Sequence, residues 1–202
     1  MTSILKADTI QDTDGNNIIN ENSNTITIGA SGDTTNIIGT LQNNGSSLIS
    51  GITMADQWRI TADLTIDSSD FDIASNWEQA DTTGFGFIGS AMTQSSGVFT
   101  FPSTGIYYVA LEVFYYGSSG DDYGRSVIKH RTNSGTETIM ADTRIRYTNG
   151  NRGYVACAVI FDCQSTTDDK IIFYGGGNVA NLIVGNTNQN NTSVRFIRLG
   201  DT

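Results

Sequence analysis

The stretch of sequence that decides the fold is Gly97-Val98-Phe99-Thr100-Phe101-Pro102-Ser103-Thr104-Gly105-Ile106-Tyr107-Tyr108-Val109. Residues 98–101 are β-branched or aromatic throughout, which is the composition of a strand. Pro102 is the only proline in the chain, and together with Gly105 it predicts a sharp corner. Beyond the corner, residues 106–116 carry apolar side chains on both faces, which predicts a long central strand covered on both sides.

The same kind of pattern predicts strands through most of the chain, and no segment has convincing helical periodicity. The strand at 154–163 is also apolar on both faces. A single sandwich would leave one of these faces exposed to water, so a second surface must bury it. This pattern indicates an oligomer. Cys157 and Cys163 would lie about 20 Å apart in this strand, beyond disulfide reach, so we expect buried, unpaired thiols. The remaining strands are expected at residues 58–66, 126–131, 138–147, 170–174 and 194–199.

Composition supports an all-β chain and limits its partners. Charged residues make up only 16% of the 202 residues, glycine occurs 22 times, and the formal charge is −10. So acidic a chain is not a nucleic-acid binder, because that function needs a basic surface. The first residues lack the basic and apolar regions of a signal peptide, and no apolar stretch is long enough to insert into a membrane. We therefore expect a protein made and folded in a cytoplasm.

A compositional break divides the chain. Residues 1–57 contain no aromatic residue and no cysteine, and large apolar residues recur every ten positions at Ile18, Ile28, Ile38 and Leu48. So few large side chains cannot offset the backbone entropy of folding, so this segment needs partner chains. We predict a thin, β-rich, trimeric stalk at 1–57 and a head domain at 58–202. A disordered leader is the alternative for residues 1–57.

Residues 97–109 resemble the signature of the trimeric jelly-roll heads shared by the complement first-component globular domain and tumour necrosis factor-like ligands. That pattern is Gly-x-Phe, a proline-containing turn, and Gly-apolar-Tyr entering a long central strand. The resemblance extends over about residues 58–202 and implies a homotrimeric jelly-roll head. The cysteine that often precedes the proline is replaced by Phe101, so no family disulfide is transferred to this chain.

The N-terminal segment resembles the leader and stalk of bacteriophage tail fibre proteins, particularly those of marine phages. The resemblance rests on Leu5-Lys6-Ala7-Asp8-Thr9-Ile10-Gln11-Asp12, on residues 15–20 and on residues 25–29. It implies a virion protein, made in the host cytoplasm, that docks to other virion proteins through its N-terminus and binds a host surface glycan or protein through its head. Three alternatives stay open: a structural virion protein without receptor binding, a polysaccharide hydrolase, and a soluble signalling ligand.

Motifs for catalysis and cofactors are weak. Residues 84–89 match a dinucleotide fingerprint, but no helix pattern follows, so we expect a glycine-punctuated strand. His130 is the only histidine, and we expect an exposed strand residue because it has no sequence context for a zinc site or a catalytic triad. We therefore predict no enzyme activity and no cofactor. Calcium between protomers is a further possibility for seven acidic residues, for which we favour a solvated loop: Asp56, Asp63, Asp67, Asp70, Asp72, Glu78 and Asp81.

One basic stripe stands out on this acidic chain, because six of the 11 Lys and Arg residues lie between Arg125 and Arg152. Such residues could bind anionic groups of a bacterial polysaccharide, with tyrosines stacking on sugar rings. Ion pairing with nearby acids is the favoured structural interpretation. Loops at 117–124, 148–153 and 175–191 are further contact candidates, since their polar residues suit hydroxyl-rich ligands. The candidate receptor-binding residues are Tyr123, Arg125, Lys129, Arg131, Arg144, Arg146, Tyr147, Asn178 and Asn188.

Overall fold

The computed structural model describes residues 9–11, 13, 17–22, 25–28, 31–38, 41–43, 46–47, 51–66, 71–117, 121–148, 152–177 and 181–202. The chain divides into an N-terminal unit, Met1–Ser50, and a C-terminal unit, Gly51–Thr202. All regular structure among the described residues is β, which confirms the all-β prediction. In the same residues no helix is long and apolar enough to cross a bilayer.

The N-terminal unit contains a three-stranded antiparallel sheet, β1-β2-β3, and a small hairpin, β4-β5. Its strands are β1 (Thr9–Gln11), β2 (Asn17–Asn22), β3 (Thr25–Ile28), β4 (Gln42–Asn43) and β5 (Ser46–Ser47).

The C-terminal unit is a sandwich of two antiparallel sheets. Its strands are β6 (Ala55–Ile60), β7 (Leu64–Thr65), β8 (Phe71–Asp72), β9 (Trp77–Gln79), β10 (Thr93–Ser95), β11 (Val98–Thr100), β12 (Gly105–Tyr116), β13 (Asp121–Arg131), β14 (Glu137–Thr148), β15 (Arg152–Cys163), β16 (Lys170–Gly177), β17 (Leu182–Ile183) and β18 (Ser193–Gly200).

The first sheet has the order β7-β17-β12-β18-β6-β9, and β15 pairs with the other edge of β12. The second sheet has the order β10-β11-β16-β13-β14, and β8 pairs with β16. The core between them is aromatic: the ring of Phe99 lies 5.3–5.6 Å from the rings of Trp58, Trp77, Phe173 and Phe196. The entry strand β6 and the final strand β18 are antiparallel neighbours, with Ala55 opposite Ile197.

The corner predicted between residues 98–101 and 106–116 is confirmed. Strand β11 ends at Thr100, and β12 begins at Gly105, which has φ +146°. A Cβ at Gly105 would lie 2.6 Å from the carbonyl oxygen of Gly200, so only glycine lets β12 pass β18 this closely. The Phe101 and Tyr107 rings, on the two sides of the corner, lie 4.5 Å apart in the core.

The structure differs from the predicted strands in three places. The strand expected at 58–66 ends at Ile60, and the chain bends at residues 61–62 before β7. Four strands, β13, β14, β15 and β16, extend into the segments expected as loops at 117–124, 148–153 and 175–191. Residues 84–89, expected as a strand, form only isolated bridges, because residue 88 alone pairs with β6.

Both cysteines are free, as predicted. Cys163 is fully buried, and burial raises the pKa of its thiol to about 11. Cys157 is half-buried, its Sγ lies 3.3 Å from Ser126 Oγ, and burial raises its pKa as well. Both thiols therefore remain protonated at neutral pH.

Candidate binding surfaces

The structure places the upstream part of the basic stripe in an ion-paired network on the second sheet. Arg125 donates two hydrogen bonds to Asp142, from Nε to Oδ1 at 2.9 Å and from Nη2 to Oδ2 at 2.8 Å. The hydrogen bond from Arg125 is the main reason that the pKa of Asp142 is lowered. Arg144 lies opposite Arg125 in the strand pairing, with its Nε 3.9 Å from Asp142 Oδ1. Arg125 and Arg144 are therefore ion-paired, as the favoured interpretation of the sequence predicted.

Lys129 and Arg131 form a second group around Glu137. Lys129 Nζ lies 3.2 Å from Glu137 Oε2 and 3.3 Å from the centre of the Tyr174 ring. Arg131 Nη1 lies 4.0 Å from Glu137 Oε1. The ammonium group of Lys129 is therefore held between a carboxylate and an aromatic face, where a cation–π contact adds to the ion pair.

The other candidate residues are more scattered. Tyr123 is half-buried and lies opposite the exposed Arg146 in the β13–β14 pairing. Asn188 is exposed on a loop. This loop is attached to the first sheet by a hydrogen bond that its neighbour Thr187 donates from Oγ1 to Glu78 Oε1 at 2.9 Å. The side chain of Tyr147 and the whole of Asn178 lie outside the described residues.

The strand ends that flank the three candidate loops meet at one end of the sandwich. Tyr116 lies opposite Arg152, and Asp121 lies opposite Thr148. Gly177, at the end of β16, lies opposite Gly124 near the start of β13. These strand ends, which we call the loop end, are at the far end of β12 from Gly105. Arg146 is close to the loop end, whereas Lys129 and Arg131 lie towards the other end of their strand.

Within the described residues of the C-terminal unit, no further sheet covers one face of the first sheet. In β12 the residues Tyr107, Val109, Leu111, Val113 and Tyr115 are fully buried, so the alternate residues point away from the core. We call this second side of the first sheet the open face. The sequence indicated it through the two-sided apolar pattern of β12 and β15.

Five apolar residues form a continuous row across the open face. Strand pairing places Ile88 opposite Ala55, Ala55 opposite Ile197, Ile197 opposite Tyr108, and Tyr108 opposite Ile160. Ile88 and Ile160, at the two ends of this apolar row, are 49% and 61% exposed. Sequence reasoning did not find the row, because its members come from separate segments that only the sheet topology brings together.

An ion pair lies next to the apolar row, beside a shallow pocket of about 360 Å³ whose lining includes Ala110, Ala156 and Ala158. Arg195 Nη2 donates to Glu112 Oε2 at 2.7 Å, and the Tyr154 hydroxyl donates to the same oxygen at 3.2 Å. The hydrogen bond from Arg195 lowers the pKa of Glu112, and the same bond raises the pKa of Arg195. Burial and the Glu112 carboxylate raise the pKa of Tyr154 to about 12.

This ion pair predicts an acid-sensitive contribution to stability. Because the folded-state pKa of Glu112 is below its ordinary value of 4.5, the contribution is present above pH 4.5 and is lost as the pH falls through the lowered value. We expect Glu112→Gln to lower the melting temperature by about 2–4 °C at pH 7, which corresponds to about 1 kcal/mol for a partly exposed ion pair. Thermal melts of both proteins between pH 3 and 7 should converge at the acid end. Curves that stay parallel to pH 3 would contradict this assignment.

Two of the residues considered for catalysis and calcium, His130 and Asp56, have structural partners. His130 is on β13, but it is half-buried rather than exposed: its Nε2 lies 2.9 Å from Asp169 Oδ1, and its ring lies 5.4 Å from the Phe161 ring. Asp56 is buried and accepts four hydrogen bonds at 2.8 Å, from the backbone N–H groups of Gln57 and Met92 and from the side chains of Trp58 and Gln79.

The structure describes four of the other six acidic residues considered for calcium. Glu78 and Asp81 both pair with the fully buried Arg59, at 2.8 and 3.0 Å. Asp63 accepts a hydrogen bond from the backbone of Gly185. Asp72 lies in β8, while Asp67 and Asp70 lie outside the described residues. Within the described part of the chain, no three acidic, histidine or cysteine residues converge as a metal site.

The C-terminal unit is similar to solved jelly-roll proteins. Eiger TNF from S. frugiperda matches with a TM-score of 0.55 and 13% identity, over 75% of this chain and 96% of that chain. A crystal structure of murine APRIL has a TM-score of 0.49, 14% identity and coverage of 72% and 99%, and PRD1 vertex protein P5 has values of 0.45, 11%, 75% and 100%. No protein-family profile and no curated protein matches the sequence. The likeness to Eiger TNF establishes a TNF-like jelly-roll fold, as residues 97–109 indicated.

Proposed function

We propose that this chain is a homotrimeric bacteriophage fibre protein whose head, residues 58–202, binds the bacterial surface without catalysis. Residues 1–57 then form the stalk, which attaches the protein to other virion components. The observation that carries the proposal is the apolar row on the open face, because an exposed sheet face of this kind needs a covering partner. The tail-fibre role itself rests on the resemblance of the N-terminal segment to phage fibre leaders.

A second apolar area gives the open face something to bind. Ile139 and Met140, on the edge strand β14, are 50% and 42% exposed, and β14 lies against β15. In the proposed trimer this edge of one copy packs on the open face of the next. Such a contact joins two different surfaces, so it repeats from copy to copy and forms a ring when the rotation between neighbours closes. Three copies are the number found in the jelly-roll heads that residues 97–109 resemble.

Host contact is proposed at the loop end. The exposed Arg146 and the largely exposed Arg144 lie on β14 near this end, and guanidinium groups bind carboxylates and phosphates in two-pronged geometry. An anionic surface polysaccharide is the ligand class that such residues fit. Three weak sites on one head bind a repetitive glycan with high avidity, so no single contact has to be strong.

Neutralising these two arginines is expected to weaken adsorption. The double variant Arg144→Ala/Arg146→Ala should fold normally, because both side chains are exposed, and should bind host cells about tenfold more weakly, since each charge-assisted hydrogen bond contributes about 1.5–3 kcal/mol before solvent screening. The measurement is the amount of purified protein bound to host cells as its concentration is varied. Lys170→Ala, which removes a positive charge elsewhere on the second sheet, is the matched control. Equal binding by the double variant and the wild type would exclude this glycan site.

Two further measurements separate the proposal from its alternatives. Immunogold labelling of intact particles should locate the protein on the tail, whereas labelling on the capsid would indicate a head fibre or a capsid decoration. Incubation with purified host polysaccharide should release no reducing sugar. Release of sugar would indicate a hydrolase.

A further inference from the structure

The open face carries a cluster of aromatic side chains at the loop end, away from the apolar row. Phe114 and Tyr116 point outwards from β12, because they alternate with residues that are buried in the core. Strand pairing places Tyr154 opposite Phe114, and Arg152 opposite Tyr116. Phe114 follows Tyr108 of the apolar row by six positions in β12, which corresponds to about 20 Å along a strand. We call Phe114, Tyr116, Arg152 and Tyr154 the aromatic patch.

Three members of the aromatic patch contact one another, and the patch is open to solvent. The centres of the Phe114 and Tyr154 rings lie 5.7 Å apart. The guanidinium carbon of Arg152 lies 5.7 Å from the centre of the Phe114 ring, which is within the range of a cation–π contact. Tyr154 and Tyr116 are 45% and 38% exposed. An aromatic surface beside an arginine is therefore accessible at this end of the first sheet.

Interactions within the first sheet hold the Tyr154 ring in position. Its hydroxyl donates to Glu112 Oε2 at 3.2 Å, and Arg195 Nη2 donates to the same oxygen at 2.7 Å. The Tyr154 ring also packs against Phe114. A side chain that is already fixed loses little conformational entropy when a ligand binds, so this ring is suited to form part of a binding site.

Arg152 gives the aromatic patch an unbalanced positive charge. Among the described residues, this exposed arginine forms no ion pair, and its guanidinium packs on the Phe114 ring. A second copy of the chain is an unsuitable cover, because an unpaired charge is costly to bury between proteins. The apolar edge residues Ile139 and Met140 also lie at the other end of the sandwich, near the start of β14. The patch therefore suits a ligand that brings its own negative charge.

We propose that the aromatic patch binds a sugar ring that carries a carboxylate, as in a uronic acid unit of an acidic polysaccharide. The apolar C–H face of the sugar stacks on the exposed Tyr154 ring, and the carboxylate accepts two hydrogen bonds from Arg152. Aromatic side chains with a few placed polar groups are the usual composition of a ligand site. This inference rests on the proposed function, and it gives the head a glycan contact separate from the arginines of β14.

Calorimetric titration of the full-length protein tests this site with short fragments of purified host polysaccharide. Each fragment is used intact and after chemical reduction of its carboxylates to alcohols. Arg152→Gln should weaken binding of the intact fragment about tenfold and leave binding of the reduced fragment unchanged, because the reduced fragment has no carboxylate for Arg152 to bind. Tyr154→Ala should weaken binding of both fragments about fivefold. Tyr154→Phe is the matched control: it loses the hydroxyl bond to Glu112 but keeps the ring, so it should bind as the wild type does.

The outcomes distinguish this inference from the proposed function. Binding by the wild type that neither Arg152→Gln nor Tyr154→Ala weakens overturns the aromatic patch and leaves the proposed function standing. An effect of Arg152→Gln that persists with the reduced fragment overturns the carboxylate as the bound group. No binding of either fragment by the wild type overturns the site, and no binding to host cells overturns the proposed function as well. Loss of trimers in either variant, measured by light scattering, assigns the patch to a contact between copies and also overturns the inference.

Discussion

Replacing Ile160 by aspartate is expected to convert the proposed trimer into monomers that keep their fold. Ile160 ends the apolar row on β15 and is 61% exposed in the single chain, so aspartate at this position costs the monomer little. In the proposed trimer the same carboxylate would be buried against a neighbouring copy. An unpaired buried charge costs several kcal/mol, and about 3 kcal/mol per contact already weakens association roughly a hundredfold.

Light scattering at micromolar concentration measures the expected change in mass, and far-ultraviolet circular dichroism checks that the β-structure remains. Ile160→Val is the matched control, because it keeps an apolar, β-branched side chain and should remain trimeric. If Ile160→Asp forms trimers as stable as those of the wild type, the open face is not the contact between copies, and the trimeric head loses its main support.

The substitution expected to destabilise the fold most is Phe99→Ala. Phe99 is fully buried at the centre of the sandwich, and its ring lies within 5.6 Å of four other aromatic rings. Removing the ring loses its transfer free energy and leaves a cavity, and the rigid neighbouring rings cannot move to fill it. We expect the free energy of unfolding to fall by about 3–5 kcal/mol.

Urea denaturation followed by tryptophan fluorescence is the appropriate measurement, because Trp58 and Trp77 both contact Phe99. Phe87→Ala is the matched control: Phe87 is 57% exposed, so the same substitution should change the stability by less than about 1 kcal/mol. Similar losses for the two variants would contradict the placement of Phe99 at the centre of the core.

The sequence predicted the long strands well, because their patterns are local. The strand expected at 106–116 is β12, which begins only one residue earlier at Gly105 and ends at Tyr116. The strand expected at 154–163 is β15, Arg152–Cys163. In both, apolar residues on the two faces reflect two real environments, the core and the open face. Long, nearly continuous apolar runs and a unique proline identified these elements without any knowledge of the tertiary structure.

Features that depend on pairing between distant segments were not predictable in the same way. The alternation through residues 58–66 continues without interruption, yet the chain bends after Ile60, where the backbone N–H of Ile60 bonds Thr192 and that of Thr61 bonds Asn76. Likewise, Ile88 joins the apolar row only because its backbone pairs with Ala55. The sequence shows that the outer side of β12 must be covered. Which residues make up the open face around it depends on which strands become neighbours.

The antiparallel pairing of β6 with β18 determines where a tag or a fused protein can be attached to this chain. Because Ala55 lies opposite Ile197, the chain passes into the sandwich and out of it at the same end. A fluorescent protein or affinity tag joined after Thr202 would therefore emerge beside the incoming chain. The strand ends around Tyr116 and Thr148 would stay unobstructed at the other end, so a tagged protein could be followed on living cells without masking those segments.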